Sequence, residues 1–201
     1  MSVLLCLIVA GCTTVSPGEA NPASTSAVST TDSSSSTSGD GLPSNGAPKV
    51  NNPLEVSRFE QDPCSILTAA QAGGLSLSAS GKEEDGALGL DCKWRNEDSN
   101  SQVAIGFYTN DPRGLSGSYA ANEEGKYAYF KPLPPIEGYP AITTNRTDRR
   151  ADGICFIEVG VSDQLSFHVD LQLSQINVGT RDPCETASIV AGKALQTMKG
   201  T

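Results

Sequence analysis

Residues 153–173 read GICFIEVGVSDQLSFHVDLQL. Cys155, Ile157, Val159 and Val161 fall at every second position of the first half, and Leu165, Phe167, Val169, Leu171 and Leu173 do the same in the second. A period of two is the spacing of side chains along one face of a β-strand. Ser162-Asp163 separates the two runs, which predicts a tight antiparallel hairpin. Its second face carries Ser166, His168 and Asp170 and is expected to meet solvent. Alternation of this kind belongs to an antiparallel sheet that packs one face on a core.

The same period recurs upstream. Leu88, Leu90, Cys92 and Trp94 share one strand face, with Lys93 and Arg95 on the other, and Val103, Ile105 and Phe107 form another strand. KYAYFKPL (126–133) and YPAITTN (139–145) are weaker strand candidates, and residues 114–125 suit a short helix.

Asp-Pro-Cys occurs twice, at 62–64 and 182–184, each time ahead of an apolar helical pattern. Asp at the N-cap and Pro at the first helical position suit a helix start, because that proline's missing N–H costs nothing there. Downstream of Asp62, Ile66, Leu67 and Ala70 form a face and Gly73-Gly74 supplies a stop. Downstream of Asp182, Glu185 holds the capping-box position, and Ala187, Val190, Ala191, Ala194, Leu195 and Met198 make a helical stripe. The expected fold is α+β: an antiparallel sheet packed on one face by N- and C-terminal helices, with two disulfides.

Those disulfides would use Cys64, Cys92, Cys155 and Cys184. Separations of 28 and 29 residues favour Cys64–Cys92 and Cys155–Cys184, each pinning a helix start to a nearby strand; Cys64–Cys184 is the main competing pair. A cysteine at a helix N-terminus can instead be a reactive thiolate. In an exported chain, however, oxidation is the expected fate.

Export is the reading of the first twelve residues, MSVLLCLIVAGC. The apolar run is too short to span a bilayer and matches the core of a secretory signal over residues 1–11. Val9-Ala10-Gly11-Cys12 resembles the bacterial lipobox, which implies that Cys12 is acylated, with chains such as palmitate. Several acyl chains hold a protein stably at a membrane. No Lys or Arg precedes the apolar run, so the true translation start is expected further upstream. In residues 13–52, sixteen of forty are Ser or Thr, too few apolar groups remain to offset ordering entropy, and a disordered tether is expected over 12–53. A coil of that length reaches roughly 35 Å. Residues 54–201 then form the folded domain.

The chain of 201 residues has a formal charge of −9 and a pI of about 4.5, which excludes a nucleic-acid partner of the usual basic kind. Few residues suggest chemistry. His168 is the only histidine, and no G-x-S-x-G elbow, P-loop or dinucleotide fingerprint occurs. Glu83-Glu84-Asp85 reads as a solvated acidic loop, and RTDRR (146–150) as a basic hairpin tip. No catalytic residue, metal or cofactor is expected. The candidate binding loop is LPPIEGYPA, where Pro134 and Pro135 stiffen a contact surface of Leu133, Ile136 and Tyr139.

Together, DPCSILTAAQA, the CKW strand, LPPIEGYPA, CFIEVGVSDQLSFHV and DPCETASIVAGKAL resemble the actinobacterial secreted lipoproteins gathered as "domain of unknown function 3558". The resemblance covers residues 60–199 and implies an extracytoplasmic envelope lipoprotein with no assigned reaction. The expected function is non-catalytic binding of a protein partner or a cell-wall component. The alternative is a carrier of a small or lipidic ligand in a sheet–helix cleft.

Overall fold

The computed structural model describes residues 41–200. The signal segment, Cys12 and most of the expected tether lie outside the described residues. Seven strands form one sheet: β1 (Lys82–Asp85), β2 (Leu90–Arg95), β3 (Gln102–Phe107), β4 (Tyr129–Ile136), β5 (Tyr139–Asn145), β6 (Ile154–Gly160) and β7 (Ser166–Gln172). Their spatial order is β1-β2-β3-β7-β6-β5-β4, and every neighbouring pair is antiparallel. The sheet is thus two meanders joined where β7 lies beside β3. The β6–β7 hairpin closes at Ser162, as the alternation predicts.

One face of the sheet is the core. Cys155, Ile157 and Val159 of β6 and Phe167, Val169 and Leu171 of β7 all point there and are buried. Against them lies α4 (Pro183–Lys199), whose stripe of Ala187, Val190, Ala191, Ala194 and Leu195 is sealed from water. The alanines let the helix sit close to the strands, and Leu195 and Val190 fill the remaining depth. Asp182 caps α4 by accepting from the backbone N–H groups of Cys184 (2.7 Å) and Glu185 (3.1 Å). Gly200 ends it at φ 74°.

The first Asp-Pro-Cys behaves differently. Asp62 makes no side-chain cap; Pro63–Ser65 is a single 3-10 turn, and α2 is only Ala69–Gly74. Thr68 caps α2 in a reciprocal box with Gln71, so the continuous helix expected from Asp62 is broken at Ile66–Thr68. A short α1 (Ser57–Gln61), unforeseen from the pattern, buries Phe59 just before the turn.

Sulfur holds both helical regions to the core face. Cys64 is bonded to Cys92 and Cys155 to Cys184, with Cα separations of 5.0 and 5.1 Å. The competing Cys64–Cys184 pairing is excluded.

Two local expectations are corrected. Glu83-Glu84-Asp85 is not a loop but the edge strand β1, with Glu84 paired to Lys93. The fold also begins before residue 54: Val50 is 4% exposed, its N–H donates to Asp163 Oδ1 (2.8 Å), and the Leu54 N–H donates to Val161 O (3.0 Å). The low apolar content of 41–53 hid this, because a single valine and a few backbone bonds suffice to dock the segment.

Replacing both Cys155 and Cys184 by Ser should lower unfolding stability by about 3–4 kcal/mol on the chain-entropy model for a loop of this size. Denaturant titration of the oxidised protein checks this; a loss under about 1 kcal/mol would mean that α4 packing alone carries the contact.

Candidate functional site

The opposite face of the sheet is covered only in part. The nine-residue α3 (Leu115–Glu123), on the connection from β3 to β4, lies over β6 there. Gly114 starts it at φ 51°, where a Cβ would stand 2.8 Å from Asp163 O, so α3 begins hard against the β6–β7 turn. Leu115 packs over Gly160 at one end, and Tyr119 meets Phe130 edge-on at 5.1 Å at the other.

Between α3 and the strands lies a cavity of about 530 Å³. That volume falls in the range of small-molecule sites. Its walls come from Gly117, Ser118 and Ala121 of α3, from Phe156 and Glu158 of β6, and from Asp170 of β7. Tyr108, Tyr127 and the turn residues Asp111 and Arg113 close the sides, with Arg146 and Arg149 from the β5–β6 tip.

The alternation that fills the core with Ile157 and Val159 delivers Phe156 and Glu158 here. Glu158 is 1% exposed. Its two oxygens accept from Ser118 of α3 and from Ser166 of β7, the latter at 2.7 Å. Burial pushes its carboxyl up to about 7, against the opposing pull of the two hydroxyls and of His168. Burial also raises the Tyr108 phenol well above its ordinary value, helped by the nearby Glu158 charge. Asp170 is open on the sheet face, but the surrounding walls strip part of its hydration and raise its pKa as well. By contrast, the Arg113 guanidinium holds Asp111 low through a two-point bond (2.8 and 2.7 Å). Perturbed groups gathered at a cavity make this recess the candidate functional site.

His168 corrects the expectation of solvent exposure: it is 5% exposed. Its ring stacks on Phe156 (5.3 Å between centroids, 14° between planes) and meets Tyr108 edge-on at 5.6 Å. Nε2 is 3.5 Å from Asp91 Oδ1, and Nδ1 has no hydrogen-bond partner among the described residues. Register explains the group: Asp91, Gly106, His168 and Glu158 are successive partners across β2, β3, β7 and β6. Gly106 leaves the gap through which Asp91 reaches His168, since a Cβ there would meet Asp91 Oδ1 at 1.9 Å and Leu90 O at 2.8 Å.

The Pro-rich candidate stretch is not a loop but the β4–β5 hairpin, turning at Glu137-Gly138. Leu133 and Ile136 lean on the core, Tyr139 is buried and donates to Asn52 O (3.0 Å), and Pro134 and Pro135 lie exposed where the β4–β5 register shifts. None of the five lines the cavity. Arg146 and Arg149 do, from the tip that sequence placed correctly without indicating where it pointed. No group of three or more His, Cys, Asp or Glu side chains suited to a metal occurs among the described residues. A second cavity, about 550 Å³, opens between α2, α4 and the sheet end and is lined by Leu75, Leu77, Ile189 and Lys193 among others.

The family described as "Protein of unknown function (DUF3558)" matches residues 7–197, so the chain belongs to it. No curated protein and no solved structure matches the chain.

Because the folded-state pKa of Glu158 lies above the unfolded value of 4.5, the native state holds the proton more tightly. The resulting stability is full below pH 4.5 and is lost as pH rises to about 7, by about 3 kcal/mol in all. Thermal unfolding of Glu158→Gln should therefore vary less between pH 5 and 8 than that of the parent. Parallel curves would refute the assignment.

Proposed function

We propose that this DUF3558 protein is a lipid-anchored, non-catalytic protein of the actinobacterial cell envelope that binds a small polar ligand, such as a unit of a cell-wall component, between α3 and the sheet. The observation that carries this reading is the buried Glu158 in the wall of the 530 Å³ cavity, tying α3 to β7 through two serine hydroxyls. A buried carboxyl costs stability even when hydrogen bonds offset part of the loss, and a short helix held over a half-covered sheet face makes a ready-made recess.

The address rests on the sequence: the lipobox-like Val9-Ala10-Gly11-Cys12 and the Ser/Thr-rich stretch after it. Two disulfides suit an oxidising compartment. No helix among the described residues is long and apolar enough to cross a membrane, so the proposed attachment is the acyl group on Cys12. The site is read as binding rather than chemistry because both Glu158 oxygens are engaged and His168 is not part of the cavity lining. Docking of a protein partner is the second reading, favoured by Ile176 (83% exposed) and Ile189 (53% exposed) near the second cavity.

Native mass spectrometry of the full chain purified from its own host should show a bound mass. Ala121→Phe, which fills the cavity from α3, should remove that mass without lowering the melting temperature. An identical spectrum for both proteins would overturn the ligand reading. For the anchor, Cys12→Ala should shift the protein from the membrane fraction to the soluble one and abolish incorporation of an alkyne-labelled fatty acid; continued labelling would refute acylation at Cys12.

A further inference from the structure

We infer that the cavity between α3 and the sheet takes a neutral, polyhydroxylated ligand, a sugar ring lying on Phe156 with its hydroxyls shared between Asp170 and Arg146. This rests on the reading of that cavity as a ligand site and adds the chemical class.

Charge balance comes first. Four cations line the cavity: Arg113, Lys126, Arg146 and Arg149. Three already have a carboxylate: Arg113 is bonded to Asp111, Lys126 to Glu124 at 2.5 Å and Arg149 to Asp152 at 3.3 Å. Asp170 supplies a fourth negative charge, so the wall is close to neutral, with Glu158, whose pKa burial raises, left over. An anionic ligand would face Asp170 and Glu158 with little surplus positive charge to offset them. A cation would meet the unpaired Arg146.

The groups without a protein partner come second. Among the described residues the Asp170 carboxylate accepts no hydrogen bond from the protein, and the Arg146 guanidinium donates none and has no ion-pair partner. Both are exposed, so water is what a ligand must replace there. One is purely an acceptor and the other purely a donor. A hydroxyl group donates and accepts at once, so a ligand bearing several hydroxyls satisfies both without bringing a charge. A fatty chain would desolvate both and satisfy neither.

The apolar platform comes third. One face of the Phe156 ring is stacked on His168, and the ring is only partly buried because it also lines the cavity. The π-face of a phenyl ring is negative and attracts the polarised C–H bonds on the flat side of a sugar ring. Tyr127 adds a second aromatic wall whose hydroxyl is 3.2 Å from Ser118 Oγ. An aliphatic or acidic zwitterionic amino acid would also satisfy Asp170 and Arg146, but it has no flat apolar face for the ring. It is therefore the sharpest competitor.

The test uses the full chain, ¹⁵N-labelled, titrated separately with four probe classes. These are neutral sugars (glucose, galactose, N-acetylglucosamine, maltose), inorganic phosphate, the amino acids alanine and glutamate, and decanoate. At least one neutral sugar should shift the amides of Phe156, Ser118 and Asp170 saturably. Asp170→Ala and Arg146→Ala should each weaken that binding tenfold or more with the melting temperature unchanged. Saturable shifts from phosphate, an amino acid or decanoate, with none from sugars, would overturn the sugar assignment and leave the ligand site standing. Silence from every probe would overturn it too, and the Ala121→Phe mass comparison separately decides whether the cavity binds anything.

Discussion

A seven-stranded sheet has two faces, and the described residues hold one helix long enough to cover a face. α4, seventeen residues from Pro183 to Lys199, packs on the side that carries Ile157, Val159, Phe167 and Val169, where sulfur fixes its first turn to β6. The other side receives nine residues of α3, anchored by Leu115 over Gly160 and by Ser118 on Glu158. Nine helical residues span about 14 Å, well short of the width of seven strands. The space left between α3 and the strands is the cavity, and its polar walls follow from strand alternation. Of the side chains that β6 and β7 do not send to the core, Phe156, Glu158 and Asp170 line it.

That alternation also explains the buried polar row. With Val159 and Val169 committed to the core, Glu158 and His168 must share the other face as cross-strand partners. α3 then seals Glu158 while Phe156 and Tyr108 cover His168. The cost is a carboxyl that holds its proton to about pH 7, and the compensation is a pair of serine hydroxyls. Such an arrangement makes the fold less stable at neutral than at acid pH, which makes Glu158 a candidate functional group.

The edges of the sheet are managed by two different means. β1 ends one side with Lys82, Glu83, Glu84 and Asp85, while β4 ends the other with Pro132, Pro134 and Pro135. Charges repel an incoming strand, and proline offers it no N–H. The prolines that suggested a rigid recognition loop therefore have a sufficient structural explanation in the strand that they occupy.

From its own residues the sequence determined the parts that depend on neighbours along the chain. The β6–β7 hairpin follows from alternation around Ser162-Asp163, and α4 from the Asp182 cap and the Ala187–Met198 stripe, whereas the cysteine spacings favoured the observed disulfide pairs and only the structure excluded Cys64–Cys184. Period and capping are local, so they can be read without the fold. Asp62 shows the limit, since the same Asp-Pro-Cys made only a 3-10 turn once Thr68 offered a better cap six residues later. Tertiary structure alone decided which polar face is wet. His168 and Glu158 alternate just as solvent-facing residues do, and nothing within β6 or β7 records that α3, some forty residues earlier in the chain, folds back over Glu158 or that Tyr108 and Phe156 cover His168. Arg146 and Arg149 likewise read as an ordinary basic tip, because their aim depends on where that tip sits relative to α3. Burial is set by contacts distant in sequence, whereas alternation reports only on which side of the sheet a residue lies.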